Sequence, residues 1–246
     1  MLRYLILFGC LICGLAVVPA AGQSWLPVQA HDRMAVQPLS RPAEPTVIRR
    51  EKNGTAFFVD DTGHMLTARH AAEDCARIIV TKEGHAVSAQ LVALSPRFDI
   101  ALIKVPKTLG LAAVFPHSVM AGVNDMVFAG AYDTLPGMMA RGGTLANATV
   151  ASNLGGSEAG YLVIDSNVTF GASGAPVLDS RGLVEGVISR RTMINRVLTV
   201  GAAETKAFLI SNGVHIQEDD RPQIAGGSSR ANRAASISAR VTCLQN

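Results

Sequence analysis

The segment DSNVTFGASGAPVLDSRGLVEGVIS, residues 165–189, carries the pattern that decides the fold. In this segment Ser173 stands between Gly171-Ala172 and Gly174. A turn of this kind gives a carbonyl access to the hydroxyl and leaves backbone N–H groups free to bind an oxyanion. An ordinary turn can have the same residues, so this stretch alone does not distinguish a nucleophilic serine from a serine in a structural turn. The apolar runs on either side of the turn indicate short strands.

Two upstream stretches supply partners for a serine. His70 stands just after a predicted strand that ends in Thr67-Ala68, and Asp99 stands at the head of the run that begins at Ile100. A histidine can accept a hydroxyl proton, and its second ring nitrogen is a suitable partner for a buried aspartate. The alternatives are a structural histidine and an exposed turn aspartate.

Composition limits the fold class and the partners. The chain has 246 residues, of which 48% are hydrophobic and 17% charged, and this excludes disorder over most of its length. The 23 glycines and 11 prolines suit strands joined by turns better than long helices. A formal charge of +3 is too small and scattered for a nucleic-acid footprint, so we expect no nucleic-acid partner.

Short apolar runs separated by turn signals predict an all-β sandwich or barrel. A hairpin is expected at residues 55–67, with its turn at Asp60-Asp61-Thr62-Gly63. A short helix is expected over Ala202–Ser211. Further strands are expected at 77–81, 86–94, 100–105, 126–131, 144–152, 161–165, 176–179, 183–189 and 197–200.

The ends of the chain differ from its middle. Residues 1–22 combine Arg3, an apolar run and a small-residue end, which predicts a cleaved signal peptide and a secreted or periplasmic protein. The apolar run is shorter than the roughly 20 residues of a membrane-spanning helix, so no stable membrane anchor is expected. The alternatives are a retained anchor and lipidation at Cys10 or Cys13. Residues 23–46 are interpreted as a proline-containing leader and 214–246 as a flexible tail.

Two of the four cysteines, Cys75 and Cys243, remain after such cleavage. An even pair in an oxidising compartment predicts a disulfide bond, with two unpaired thiols as the alternative. Such a bond would attach the end of the chain to its body.

The order His70, Asp99, Ser173 is that of chymotrypsin-type proteases. Over residues 50–212 the chain resembles the trypsin-like serine peptidases, and most closely the protease domain of the HtrA (Deg) family. The matching stretches are Gly54–Val59, Leu66–His70, Leu91–Val105 and Asp165–Ser189. No PDZ module is expected in the residues that follow.

The resemblance implies two antiparallel six-stranded β-barrels, at about 47–117 and 118–213, with a short C-terminal helix in the same domain. It assigns the general base to His70, its orientation to Asp99 and the nucleophile to Ser173. The backbone N–H groups of Gly171 and Ser173 would form the oxyanion hole.

The resemblance also implies a specificity pocket, in which Asn167 stands where a basic-specific enzyme has an aspartate. A small or medium apolar side chain is therefore expected before the scissile bond, with an acidic one left open by Arg190 and Arg191. The residues expected to line this pocket are Asn167, Val168, Thr169, Ile188, Ser189 and Arg190.

The sequence thus predicts a serine endopeptidase that acts on proteins or peptides through an acyl-enzyme, without a cofactor or metal. Three positions depart from the family: Ala172 and Ala175 beside the nucleophile, and Arg69 before the histidine. They motivate the alternative of a catalytically inactive, protease-fold binding or scaffold protein. The sequence gives no indication of the oligomeric state.

Overall fold

The computed structural model describes residues 50–117, 121–143, 147–226 and 228–246. The predicted signal peptide and leader lie outside these residues. The strands are β1 Glu51–Phe58, β2 His64–Thr67, β3 Arg77–Lys82, β4 His85–Leu94, β5 Ala101–Lys104, β6 Val114–Phe115, β7 Met126–Val127, β8 Ala148–Asn153, β9 Tyr161–Ser166, β10 Pro176–Leu178, β11 Val184–Met193, β12 Arg196–Gly201, β13 Gln217–Glu218 and β14 Ser238–Leu244. The helices are α1 Arg69–Ala72, α2 Leu135–Ala140, α3 Ala202–Ser211 and α4 Arg230–Ile237.

The β1–β2 hairpin forms where the sequence predicts it. Asp60 accepts hydrogen bonds from the backbone N–H groups of Thr62 at 3.0 Å and His64 at 2.9 Å, so its side chain fixes the turn. Gly63 has φ +96°, a conformation that favours glycine. The turn therefore sets the register in which Ala56 pairs with Thr67.

Six strands in the order β1-β14-β3-β4-β5-β2 form a closed antiparallel barrel, named here the first barrel. A second six-stranded sheet has the order β10-β11-β12-β9-β8-β7 and is named here the second barrel. Its two ends meet where Phe128, just after β7, forms an antiparallel bridge with Leu178 of β10. The predicted all-β fold of two six-stranded antiparallel barrels is confirmed.

The strands between the barrels are buried on both faces. In β1, Ala56 and Phe58 belong to the apolar cluster inside the first barrel, whereas Phe57 packs in a cluster shared with strands of the second barrel. This alternation is the period of a β-strand. Leu66 of β2 and Leu102 of β5 join the same shared cluster, so it connects the two halves of the domain.

The C-terminal residues are not a flexible tail: for residues 230–244 that prediction is wrong. Strand β14 lies between β1 and β3, with Val241 opposite both Gly54 and Val80. Its side chains alternate, so that Ala239, Val241 and Cys243 are fully buried. Helix α4 precedes it and packs three apolar side chains into the shared cluster. The first barrel is therefore built from both ends of the described chain.

Within the described residues, no helix has the length and apolar character needed to cross a membrane. The predicted helix over Ala202–Ser211 is present with the predicted bounds.

Candidate active site

The Ser173 turn is held by the first barrel. The backbone N–H of Thr55 donates to the carbonyl of Ser173 at 2.9 Å, and the Thr55 hydroxyl donates to the carbonyl of Gly171 at 2.8 Å. Gly174 has φ +84°, and a Cβ there would lie 2.2 Å from the carbonyl oxygen of Thr55. Only glycine fits this close approach without displacing the turn. The role of Thr55 could not be predicted from the sequence, because its contacts are made with backbone atoms far along the chain.

His70 lies in α1, directly after β2, and Asp99 lies two residues before β5. Since β2 and β5 pair antiparallel, the histidine and the aspartate lie at the same end of the first barrel. The Asp99 carboxylate accepts from the His70 backbone N–H at 3.0 Å, and its other oxygen lies 2.8 Å from His70 Nδ1.

The three predicted reacting side chains meet at one point. His70 Nε2 lies 3.0 Å from Ser173 Oγ, although the two residues are 103 positions apart. An ionised carboxylate only accepts hydrogen bonds, so the proton on His70 belongs on Nδ1, facing Asp99. The lone pair of Nε2 then faces the serine hydroxyl and can take its proton.

The structure adds a fourth side chain to this network. Ser189 is fully buried and donates its hydroxyl to Asp99 at 2.6 Å. Burial raises the pKa of Asp99, but hydrogen bonds from His70 and Ser189 outweigh that effect and leave the pKa below its usual value. Asp99 is therefore ionised at neutral pH. The sequence placed Ser189 in the specificity pocket and missed this contact.

A cavity of about 440 Å³ opens beside Ser173 and is named here cavity 1. Four of the six residues predicted to line the pocket do so, whereas Asn167 and Ser189 do not. Asn167 is exposed, and Ser189 is directed at Asp99. The lining residues are Asn53, Val168, Thr169, Phe170, Gly171, Ala172, Ser173, Ile188, Arg190, Arg191 and Val197. Its buried wall is apolar, and none of its residues is acidic.

The three departures from the family pattern leave this geometry intact. Ala172 and Ala175 are buried among apolar side chains of the second barrel. The Arg69 side chain is held by Glu73, because its Nε lies 2.9 Å from a carboxylate oxygen of that residue. Small side chains at 172 and 175 are thus used for packing.

The backbone N–H groups predicted to form the oxyanion hole have no competing acceptor. Neither Gly171 nor Ser173 donates its backbone N–H to another residue of the described chain. Gly171 has φ +85° in a turn in which Ala172 donates to the carbonyl of Thr169. Both groups are available to a negatively charged oxygen beside Ser173.

A disulfide bond joins Cys75 to Cys243, with a Cα–Cα distance of 5.3 Å. Cys75 follows α1, which holds His70, and Cys243 lies in β14. The bond therefore attaches the barrel-closing strand to the segment that carries the histidine. In the described part of the chain, no group of three or more His, Cys, Asp or Glu side chains is placed to hold a metal ion.

Residues 54–187 match the sequence model described as "Trypsin-like peptidase domain". The chain is 31% identical to the uncharacterized protein y4bJ of Sinorhizobium fredii (strain NBRC 101917 / NGR234), over 83% of this chain and 34% of that protein. It is 28% identical to a probable periplasmic serine endoprotease, DegP-like, of Brucella suis biovar 1, over 54% of this chain and 26% of that protein. The chain thus spans about a third or less of these relatives.

Solved structures share the fold. The serine endoprotease from Yersinia pestis superposes with a TM-score of 0.54 at 19% identity, over 65% of this chain and 57% of that one. The inactive form of the Rv3671c protease superposes with a TM-score of 0.52 at 22% identity, over 67% of this chain and 88% of that one. The family match covers more than half of the chain, and the two barrels agree with it; the chain belongs to the trypsin-like peptidase family.

Proposed function

We propose that the protein is a serine endopeptidase that hydrolyses peptide bonds through an acyl-enzyme. The observation that carries the proposal is the continuous chain of contacts from Asp99 through His70 to Ser173, with distances of 2.8 Å and 3.0 Å. These are the distances required between a nucleophile, its base and the group that orients the base.

In the proposed reaction Ser173 Oγ attacks the peptide carbonyl while His70 Nε2 takes the hydroxyl proton. The backbone N–H groups of Gly171 and Ser173 bind the oxyanion that forms. His70 then gives its proton to the leaving amine, which departs and leaves an ester on Ser173. Water, deprotonated by His70, attacks the ester, and the bond from the acyl carbon to Ser173 Oγ breaks as His70 returns the proton to Oγ. The new carboxylic acid leaves and ionises. Asp99 stays ionised and stabilises the imidazolium in both steps.

The peptide can bind along β11. On one edge β11 pairs with β10, and this ladder ends at Val187. Beyond Ile188 that edge has no ladder partner among the described residues, although the other edge still pairs with β12. An extended peptide placed at this edge gains backbone hydrogen bonds. It also passes cavity 1, whose apolar wall of Val168, Ile188 and Val197 suits a small or medium apolar side chain.

We place the protein in a secreted or periplasmic compartment. The apolar run in residues 1–22 supports this location, and so does the disulfide bond, because such bonds persist in oxidising compartments. The DegP-like relatives carry the word periplasmic in their names.

The test is intact-mass spectrometry before and after treatment with a fluorophosphonate, which reacts with activated serines. We expect one adduct on the wild type and none on Ser173→Ala, with turnover of a casein substrate reduced about 10⁴- to 10⁶-fold in the variant. Ser88→Ala, at an exposed serine of β4, is the matched control and should label like the wild type. Equal labelling of Ser173→Ala would overturn the assignment of the nucleophile. An unlabelled wild type would favour the non-catalytic binding protein.

A further inference from the structure

A second cavity, of about 460 Å³, lies on the other side of the reacting groups and is named here cavity 2. Three of its residues are arginines and two are aromatic. Its lining residues are Arg69, His70, Pro96, Arg97, Phe98, Asp99, Tyr161 and Arg190. The rings of Phe98 and Tyr161 meet edge to face, with centroids 5.3 Å apart, and form an apolar wall.

The charges of cavity 2 do not cancel. Arg69 is neutralised by Glu73 at 2.9 Å, and Asp99 is the only carboxylate in the lining and is already bonded to His70. Arg97 and Arg190 have no carboxylate partner among the described residues. Two positive charges therefore line a cavity that holds no free negative charge.

Both of these arginines keep donors for a ligand. Arg97 stacks over the ring of Phe98 at 4.9 Å and donates one Nη2 hydrogen bond to the carbonyl of Ala159, which leaves its other N–H groups unused. The backbone of Arg190 pairs with Leu198 of β12, but its side chain forms no hydrogen bond or ion pair with any residue that the structure describes. A guanidinium group binds a carboxylate with two parallel hydrogen bonds when the geometry allows.

Arg190 lines both cavities, so a peptide that passes it contacts cavity 1 on one side and cavity 2 on the other. Successive side chains of an extended peptide point in opposite directions. If the residue whose carbonyl is attacked fills cavity 1 beside Ser173, the preceding residue points towards His70 and cavity 2.

We propose that cavity 2 selects an acidic side chain at the residue preceding the one whose carbonyl is attacked, with Arg190 and Arg97 as the carboxylate-binding residues. The inference rests on the proposed function, since it names the substrate class of the same site. It makes the preferred substrate a peptide with glutamate or aspartate followed by a small or medium apolar residue. A lysine or arginine before that apolar residue is disfavoured by like charge.

The experiment uses three labelled peptides that differ only at the residue before a valine: glutamate, glutamine or lysine. We expect kcat/KM of the wild type to fall about tenfold from glutamate to glutamine and further for lysine. Raising NaCl from 50 to 500 mM should shrink the glutamate-to-glutamine ratio, because salt screens exposed charges.

Variants of the two arginines test whether these residues cause the preference for the glutamate peptide. We expect Arg190→Gln and Arg97→Gln each to lower the glutamate-to-glutamine ratio of kcat/KM to about threefold and the double variant to bring it to about one. Arg221→Gln is the matched control, because Arg221 is exposed and lines neither cavity. A merely structural role for Arg190 would lower cleavage of all three peptides equally.

Binding to Ser173→Ala separates this proposal from the proposed function. Fluorescence anisotropy of the same peptides gives a Kd ratio that needs no turnover. A glutamate preference in Ser173→Ala, combined with no fluorophosphonate adduct on the wild type, would support the acidic subsite and refute the peptidase. Labelling of the wild type with equal Kd and kcat/KM for glutamate and glutamine would overturn the subsite alone. Failure of every peptide to bind would overturn it as well.

Discussion

The first and second barrels are built from the same number of strands but close in different ways. In the first barrel every strand has two neighbours, and the Cys75–Cys243 bond ties its closing strand to the segment beside His70. In the second barrel the two end strands meet through the single bridge between Phe128 and Leu178. The half that holds His70 is a complete hydrogen-bonded cylinder, whereas the half that holds Ser173 has short end strands and a partly open edge.

This difference separates two tasks. The proposed function requires a fixed geometry of His70 and Asp99, and the closed first barrel supplies it. The second barrel supplies the turn of Ser173, the free edge of β11 and most of cavity 1, which would receive the peptide in the proposed reaction. Thr55 connects the two barrels, because this residue of the first barrel donates hydrogen bonds to the carbonyls of both Gly171 and Ser173.

The largest effect is expected from breaking the closure of the first barrel. Deleting residues 238–246 removes β14, four buried side chains and the disulfide bond. A bond closing so long a loop is worth about 5 kcal/mol in the chain-entropy model, which is comparable to the whole stability of many domains. We expect the deletion variant not to fold, as measured by circular dichroism and limited proteolysis.

The control for this deletion is a chain that lacks only residues 245–246, which leaves β14 complete. It should melt cooperatively within a few degrees of the wild type. A folded, cooperative deletion variant lacking residues 238–246 would show that the first barrel closes without its sixth strand.

An intermediate effect is expected at the contact between the barrels. Gly174→Ala places a Cβ 2.2 Å from the carbonyl oxygen of Thr55, so the Ser173 turn must move. A displacement of about 1 Å at a reacting group costs roughly 10²-fold in rate, and we expect kcat/KM to fall by at least that factor. Peptide hydrolysis and the rate of fluorophosphonate labelling measure the change.

Gly142→Ala is the matched control, because Gly142 also has a positive φ, +88°, but a Cβ there meets no atom within 4 Å. It reports the cost of the backbone conformation alone. Equal losses of activity in the two variants would mean that the close approach at Thr55 has no special importance for the Ser173 turn.

The smallest effect is expected within the second barrel, at Glu185. Its side chain is buried and accepts a hydrogen bond from the backbone N–H of Ala121 at 3.0 Å. Burial raises the pKa of Glu185 to about 7, with nearby Asp179 and Asp125 adding to the rise. The folded state therefore holds the proton more tightly than the unfolded state. Below the pKa that Glu185 has in the unfolded chain, this carboxyl does not lower the free energy of unfolding. As pH rises through about 7, the free energy of unfolding falls.

Glu185→Gln keeps the shape and an acceptor for Ala121 but has no charge to bury. We expect it to raise the free energy of unfolding by about 2 to 3 kcal/mol at pH 8 and by little at pH 4.5, measured by urea denaturation. Glu158→Gln, at an exposed carboxylate, is the control and should change neither value. A variant that is no more stable than the wild type at pH 8 would contradict the burial of a charged Glu185.

Much of this architecture could be predicted because it depends on sequence patterns between neighbouring residues. Alternating apolar runs predicted most strands, and the bounds of the helix over Ala202–Ser211 agree with the structure. The three residues of the candidate triad were recognisable because each stands at the end of a strand or in a turn, within a family motif. The structure brings them within hydrogen-bonding distance.

The remaining features depend on contacts between distant residues. Residues 230–244 are rich in Arg, Ala and Ser, so their composition resembles a solvated tail, and only pairing with β1 and β3 makes β14 a strand. The role of Ser189 was missed because a buried serine gives no sign of which group it faces. Cavity 2 was missed because Arg97 and Arg190, far apart in the sequence, line it together.

Because residue 51 pairs with residue 244, the first barrel can close only after residue 244 has been synthesised. The ribosome makes the five other strands of the first barrel and the whole of the second before it reaches the strand that closes the first. Contacts between residues so far apart in sequence slow folding, because a long loop must close before they form. The nascent chain therefore carries Ser173 for some time without a completed barrel around His70. If the proposed function holds, peptide hydrolysis is expected to begin only after β14 has paired with β1 and β3.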